Sequence, residues 1–172
     1  MIGRFQPFHN GHLALSKQVL TECNELVIVI GSAQFNYIYK DPFTGAERIE
    51  MIHEALEESE IDLRKCYIIP IINDENNARW FGYLRSMVPR FDLLYSGNEF
   101  VASLTAATVK IRKPLFMHQA KYNGTSIRRQ IATGKPEWKK SVPKSVSTII
   151  EEVGGVERIK MLIETDSNPQ LW

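Results

Sequence analysis

Within the first dozen residues, the run Gly3-Arg4-Phe5-Gln6-Pro7-Phe8-His9-Asn10-Gly11-His12 crowds a guanidinium, a carboxamide and two imidazoles into one short stretch. These groups donate hydrogen bonds to anionic oxygen, and an apolar-periodic segment starts directly behind them. A helix opening near Gly11 would put His9 and His12 on its first turn, where free N–H groups and the positive end of the helix dipole favour phosphate. Gly11 leaves room for a phosphate to approach the backbone. Phe5, Pro7 and Phe8 provide an apolar, conformationally restricted support. A His-x-x-His spacing alone is more often an ordinary packing or surface feature. It is the addition of Arg4 and Gln6 that points to phosphate handling.

A second candidate lies far along the chain, in Gly124-Thr125-Ser126-Ile127-Arg128-Arg129. Thr125 reads as a helix cap, Ser126 adds a hydroxyl, and Arg128 projects from the first turn with donors suited to bidentate phosphate contact. Alone, this is more often a capped helix with solvated arginines. Once it is paired with the N-terminal run, the phosphate-binding reading outweighs the plain one. Arg129 has three open readings: phosphate, a neighbouring subunit, or water.

Positioning these segments requires an α/β frame. Residues 13–23 carry apolar positions at helical intervals, and Leu26-Val27-Ile28-Val29-Ile30 is a continuous apolar run of the kind covered on both faces. Thr44 with Glu47 forms a capping-box pattern for a helix through Glu58, with Ile49, Ile52, Ala55 and Leu56 as its stripe. A strand is predicted at 67–72, with Pro70 marking an end or an irregularity. Helices are predicted at 78–88 and 99–107, and strands at 93–95 and 109–112. The order βαβαβ predicts a single doubly wound, parallel, Rossmann-like sheet whose ligands gather beyond the C-terminal strand ends. Gly31-Ser32, Ser96-Gly97-Asn98 and the histidines should converge there. The tail, about 126–166, is helical, with breaks at Gly134, Pro136 and Gly154-Gly155. No second domain or repeat is visible, so residues 1–172 are expected to form one domain.

The 172 residues are 44% hydrophobic with a net charge of +1, which suits one domain with a substantial core and carries no polyelectrolyte signature. A nucleic-acid polymer is not an expected partner. No run is long enough to cross a bilayer and no signal peptide is visible. Cys23 and Cys66 lack metal-ligand spacing and read as free thiols of a reducing cytoplasm. His9 and His12 could share an ion, yet no acidic third ligand is near, and His53 and His118 lie on other segments. Protein-held metal is therefore not expected.

The run GRFQPFHNGH resembles the HxGH signature of the nucleotidyltransferase superfamily. Gly31-Ser32-Ala33-Gln34, Asp41-Pro42-Phe43-Thr44, Asn77-Ala78-Arg79-Trp80, Tyr95-Ser96-Gly97-Asn98 and Gly124-Thr125-Ser126-Ile127-Arg128-Arg129 follow in an order similar to that of archaeal-type nicotinamide mononucleotide (NMN) adenylyltransferases. The resemblance implies transfer of the adenylyl group of ATP to NMN, forming NAD and pyrophosphate. It places His9, His12, Arg4 and Arg128 around the transferred group. Gly11, Thr125, Ser126, Arg129, Gly97 and Asn98 would serve ATP and its phosphates, and Trp80, Lys40, Gly31 and Ser32 would serve NMN. Trp80 would offer its indole to the electron-poor pyridine ring. It also implies Mg2+ bridging the phosphates and a homo-oligomer, a hexamer being one candidate.

Two departures stand out. Lys40 occupies a place where related sequences can carry arginine, keeping the charge but losing the planar fork; Arg48 is a second basic candidate that a helix-surface position explains equally well. Only Met1 and Ile2 precede Gly3, where the family has an apolar strand, so the first strand is expected to be truncated, with loss of apolar burial and of backbone partners. Rival readings are another HxGH nucleotidyltransferase with a different phosphate acceptor, and a nucleotide-binding sensor without turnover.

Overall fold

The alternation of apolar runs and 3.6-residue stripes resolves into parallel strands joined by helices. The computed structural model describes residues 1–74, 76–97, 99–105, 108–115 and 122–165. Three strands, β1 (Ile2–Gly3), β2 (Leu26–Ile30) and β3 (Cys66–Pro70), form one parallel ladder in that order; β4 (Leu93–Tyr95) and β5 (Lys110–Arg112) form a second parallel pair. Between and after them run α1 (Asn10–Glu22), α2 (Gly45–Glu58), α3 (Asn77–Met87), α4 (Glu99–Thr105), α5 (Gly124–Ala132), α6 (Lys144–Glu152) and α7 (Gly155–Thr165). Leu63–Lys65 and Pro136–Ser141 are short 3-10 turns.

The side-chain period of two along β2 sends Ile28 and Ile30 into the main core with Phe8, Phe43, Met51 and Ile150, and sends Val29 to the other face with Ile71 and Leu84. Both faces of the central strand are thus covered, the arrangement that makes parallel strands stable. Thr44 caps α2 reciprocally with Glu47 as the sequence predicts. α6 lays Val146, Ile149 and Ile150 against the core, and buried Trp138 fills the turn before it. The predicted strand at 67–72 is shifted: β3 starts at Cys66 and ends at the irregularity marked by Pro70, which pairs with Ile30, and the Ile71 N–H makes one further bond to the Ile30 carbonyl at 2.9 Å.

The short first strand is real but minimal. Ile2 pairs Val29 and Gly3 pairs Ile30, while the buried Met1 ammonium donates to the Val27 carbonyl at 2.7 Å. Burial pushes that amine down to about 5. Beside it, bounded by Ile2, Val27, Leu84, Leu94 and Tyr95, a cavity of about 380 Å³ separates β2 from β4. Among the described residues, no helix is long and apolar enough to cross a membrane.

Candidate active site

The segment leaving β1 turns at once into α1, and His9 is the residue on which it turns. His9 is the N-cap, in extended backbone, and His12 is the third helical residue. The His9 Nδ1 accepts the His12 N–H at 3.3 Å, and the His12 Nδ1 accepts the His9 N–H at 3.2 Å. This is a capping box built from two imidazoles, whose rings stack at 3.5 Å between centroids. Because both Nδ1 atoms accept, each neutral ring carries its proton on Nε2. Burial pushes His9 down to about 4, and burial together with the adjacent His9 holds His12 well below its ordinary value. In the unliganded chain the pair therefore offers two neutral Nε2–H donors.

Behind the histidines the loop is fastened from two directions. The Gln6 carboxamide donates to the Phe43 carbonyl at 2.8 Å and accepts the Phe43 N–H at 2.9 Å, reproducing a strand-like pair with the segment before α2. Arg4 reaches both oxygens of buried Asp41, at 3.2 and 3.3 Å. From the other end of the chain, Arg128 donates to the Gln6 carbonyl at 2.7 Å and to Thr125 Oγ1 at 3.2 Å, and Tyr122 stands 6.5 Å from the His9 ring. The two candidate segments are thus in contact across the fold.

Several expectations change in detail. Asn123, not Thr125, caps α5, its Oδ1 accepting from the N–H groups of Thr125 and Ser126. Arg128 lies in the second turn and is buried among Gln6, Thr125 and the Tyr39 ring, where burial and the charge of Arg4 lower its pKa. Among the described residues its buried Nε has no hydrogen-bond partner. Gly11 is needed for a protein contact: a Cβ there would stand 3.0 Å from Tyr122 and 3.1 Å from the His9 ring. Arg129 and Lys40 are exposed. Gly97 is exposed beyond β4, and Asn98 lies outside the described residues.

At the C-terminal ends of the strands, Gly3, Arg4, Gly31, Ser32, Asn77 and Trp80 share a cavity of about 370 Å³, with Ser96 and Phe100 at its other side. Trp80 is half-buried, its other contacts being the small cluster under α3. The loops that frame this cavity are strained at two places, Phe5 with φ 51° and Ser32 with φ 53°. Left-handed backbone at non-glycine residues costs about 1–3 kcal/mol each and persists only where surroundings hold it.

What holds it is Arg48, which is neither of the two things the sequence offered, a basic phosphate candidate or a helix-surface residue. Arg48 is fully buried on the inner face of α2. Its guanidinium donates to six carbonyls: Thr44 at 3.1 Å, Arg4 at 3.0 Å, Gly31 at 3.2 Å, Ser32 at 3.3 Å, Ala33 at 3.2 Å and Phe35 at 3.5 Å. Burial lowers its pKa. Asp41 and Asn123 are residues of this neighbourhood to which the sequence assigned no role, and Arg48, read as a basic candidate or a surface residue, is neither exposed nor free to reach phosphate, its guanidinium being taken up by backbone carbonyls. An arginine four residues after a helix cap is, locally, a surface pattern.

The site is rich in donors and poor in acceptors. Asp41 is engaged by Arg4, and both His Nδ1 atoms are engaged by backbone N–H groups. These residues fit phosphate oxygens rather than a protein-held ion. Among the described residues, His53, Glu54 and Glu57 gather potential ligand atoms within 4.8 Å, on exposed turns of α2.

Residues 1–130 match the cytidylyltransferase-like family. The chain is 46% identical over 172 residues to a nicotinamide-nucleotide adenylyltransferase of Caldivirga maquilingensis, covering 99% of this chain and 97% of that one. It is 45% identical to the protein of that name from Pyrobaculum arsenaticum, covering 99% and 96%, and 45% identical to that of Thermococcus kodakarensis, covering 94% and 86%. Its fold also superposes, with a TM-score of 0.76 at 21% identity, on a bifunctional NMN adenylyltransferase/ADP ribose pyrophosphatase of Francisella tularensis solved with AMP and a manganese ion. That alignment covers 95% of this chain and 51% of the Francisella chain. By its motifs, its parallel α/β architecture and these relatives, the chain belongs to the cytidylyltransferase-like family, among the nicotinamide-nucleotide adenylyltransferases.

Proposed function

We propose that this chain joins ATP and NMN to give NAD and pyrophosphate. An oxygen of the NMN phosphate attacks the α-phosphorus of ATP in line; one P–O bond forms as the bond to the departing pyrophosphate breaks. Nucleophile and leaving group both belong to the substrates, so no covalent enzyme intermediate is needed, and catalysis is positioning plus charge stabilisation. His9 and His12 donate from Nε2 to phosphoryl oxygens. Arg4, paired with Asp41 yet with 41% of its side chain exposed, and Arg128, through its Nε, offset negative charge as pyrophosphate leaves. Gly11, Thr125, Ser126, Arg129, Gly97 and Asn98 belong to the ATP side; Trp80, Gly31, Ser32 and Lys40 belong to the NMN side. A divalent ion such as Mg2+ would come with ATP rather than be held by protein side chains, and would supply screening of the phosphate charge.

The observation that carries this reading is the 2.7 Å bond from Arg128 to the Gln6 carbonyl, which joins the two phosphate-directed segments, the first of which also gives Arg4 to the cavity holding Trp80. Free thiols at Cys23 and Cys66 suit a reducing cytoplasm, and a homo-oligomer is proposed for the assembled enzyme. The test is to incubate the purified chain with ATP, Mg2+ and a panel of mononucleotides and to identify products by mass. NAD appearing with pyrophosphate from NMN is expected. Binding of ATP without turnover of any acceptor would overturn catalysis, and turnover of a different acceptor alone would overturn the substrate. Trp80→Ala should raise the KM for NMN about tenfold or more and leave that for ATP within about threefold.

A further inference from the structure

The geometry points to Arg48 as the positioning residue of the acceptor's phosphate site, acting through the backbone of the two strained loops rather than by touching substrate; the inference rests on the functional reading above. Two of its six carbonyl partners, Arg4 and Gly31, immediately precede the left-handed residues Phe5, buried in the core, and Ser32, which lines the cavity together with Arg4 and Gly31. The φ angle of a residue sets the orientation of the peptide unit before it, so a guanidinium gripping the Arg4 and Gly31 oxygens fixes those two φ values directly. In a trans peptide the N–H points opposite to the C=O. Capturing the Gly31 oxygen from the α2 side turns the Ser32 N–H the other way, and Gly31 and Ser32 both line the cavity shared with Trp80.

The neighbouring peptide is already accounted for. The Ala33 N–H donates to the Ile71 carbonyl at 2.9 Å, tying the same loop to the end of β3. Ser32 is therefore the residue whose N–H this device can present to an anion beside the pyridine subsite. A guanidinium suits the task, because its five N–H groups lie in one rigid plane and can reach carbonyls from three chain segments at once. An ammonium at the same place has three donors and no fixed fork.

The experiment has two arms. In the unmodified chain labelled with 15N-serine, the Ser32 amide resonance should shift on titration with NMN and with inorganic phosphate, and should shift little with adenosine. In Arg48→Lys, circular dichroism should show a folded protein with a lowered Tm. The KM for NMN should rise about tenfold or more, while the KM for ATP stays within about threefold. NMN that binds by calorimetry yet leaves the Ser32 amide unmoved overturns the inference alone. So does an Arg48→Lys enzyme with a lowered Tm and both KM values unchanged or equally raised, which would make Arg48 only structural. If no mononucleotide binds or turns over, the functional reading falls and takes this inference with it. The serine-labelled arm needs no variant, so it decides the matter even if Arg48→Lys fails to fold.

Discussion

At the scale of single residues, the two histidines do two jobs with different atoms. Nδ1 of each closes the other's backbone N–H, and Nε2–H is left for chemistry. A substitution can separate these jobs. His9→Ala should lose about 1 kcal/mol of stability with the cap, whereas His9→Asn, whose Oδ1 can occupy the place of Nδ1, should recover most of it. Both should lose turnover on the order of 10²–10³-fold, the scale set by removing one aimed donor. An Asn variant that regained activity as well as stability would show that His9 serves the helix only. The pair also makes stability pH-dependent. With His9 near 4 when folded and 6.5 as its ordinary value, the unfolded chain binds more protons in that window, so stability rises with pH across it and is lost as pH falls toward 4. A shift of this size is worth roughly 3 kcal/mol, and His12 moves in the same direction. Urea unfolding at pH 4.5 and 7 should give a steeper gain for the parent chain than for His9→Asn, because asparagine caps without titrating. Equal gains would mean the imidazole is not held neutral.

At the scale of elements, most of what the sequence announces is local and arrives intact. Thr44 and Glu47 mark the start of α2 because a capping box is written in adjacent residues, and β2 is legible because five consecutive apolar side chains have no other economical home. The joining of the two segments was also legible, through motif resemblance rather than periodicity. What was not legible depends on distant backbone. Asn123 and Thr125 are both acceptable caps, and only the orientation in which α5 meets Gln6 leaves Asn123 outside and Thr125 within the first turn. Arg48 falls on the inner face of α2 between Thr44 and Ile52, where it meets the carbonyl ends of β1 and β2, a neighbourhood no local spacing encodes. The element-scale consequence concerns α7, which begins so close to the core that a Cβ on Gly155 would stand 2.7 Å from Phe43 and 2.8 Å from the Ile150 carbonyl. Gly155→Ala should therefore overpack and cost about 1–3 kcal/mol, read as a fall in Tm. Because Phe43 is the backbone partner of Gln6, the KM for ATP should rise in the same variant. An unchanged Tm would mean that α7 does not rest on this segment.

At the scale of the whole molecule, the C-terminal helices hold shut the loop that the N-terminal site leans on. Arg158 of α7 meets both oxygens of Glu47 at 2.8 Å, donates to the carbonyls of Pro42 and Val153 at 3.1 and 2.9 Å, and covers the Tyr37 ring at 4.6 Å. Side-chain exposures of 11% for Arg158 and 14% for Glu47 make this a largely desolvated pair. The segment it pins carries Asp41 and Phe43, the partners of Arg4 and Gln6. Removing one member of such a pair strands the other, so Arg158→Met should cost about 3–5 kcal/mol, and the double variant Arg158→Met with Glu47→Gln should recover a large part of that loss. The pH dependence gives an independent sign. Burial alone would raise the Glu47 carboxyl, but the Arg158 hydrogen bonds and charge, with the Thr44 N–H, outweigh it and hold the carboxyl below its ordinary 4.5. Its contribution to stability is then present above 4.5 and lost as pH falls through the lower folded value. In Arg158→Met only burial and the cap remain, so protonation near the ordinary carboxylate range relieves the stranded charge. The stability gap between parent and Arg158→Met, measured by urea unfolding from pH 7 to pH 4, should therefore narrow as the solution is acidified. A gap that widened on acidification would show that Arg158 acts through packing on Tyr37 and not through the charge of Glu47.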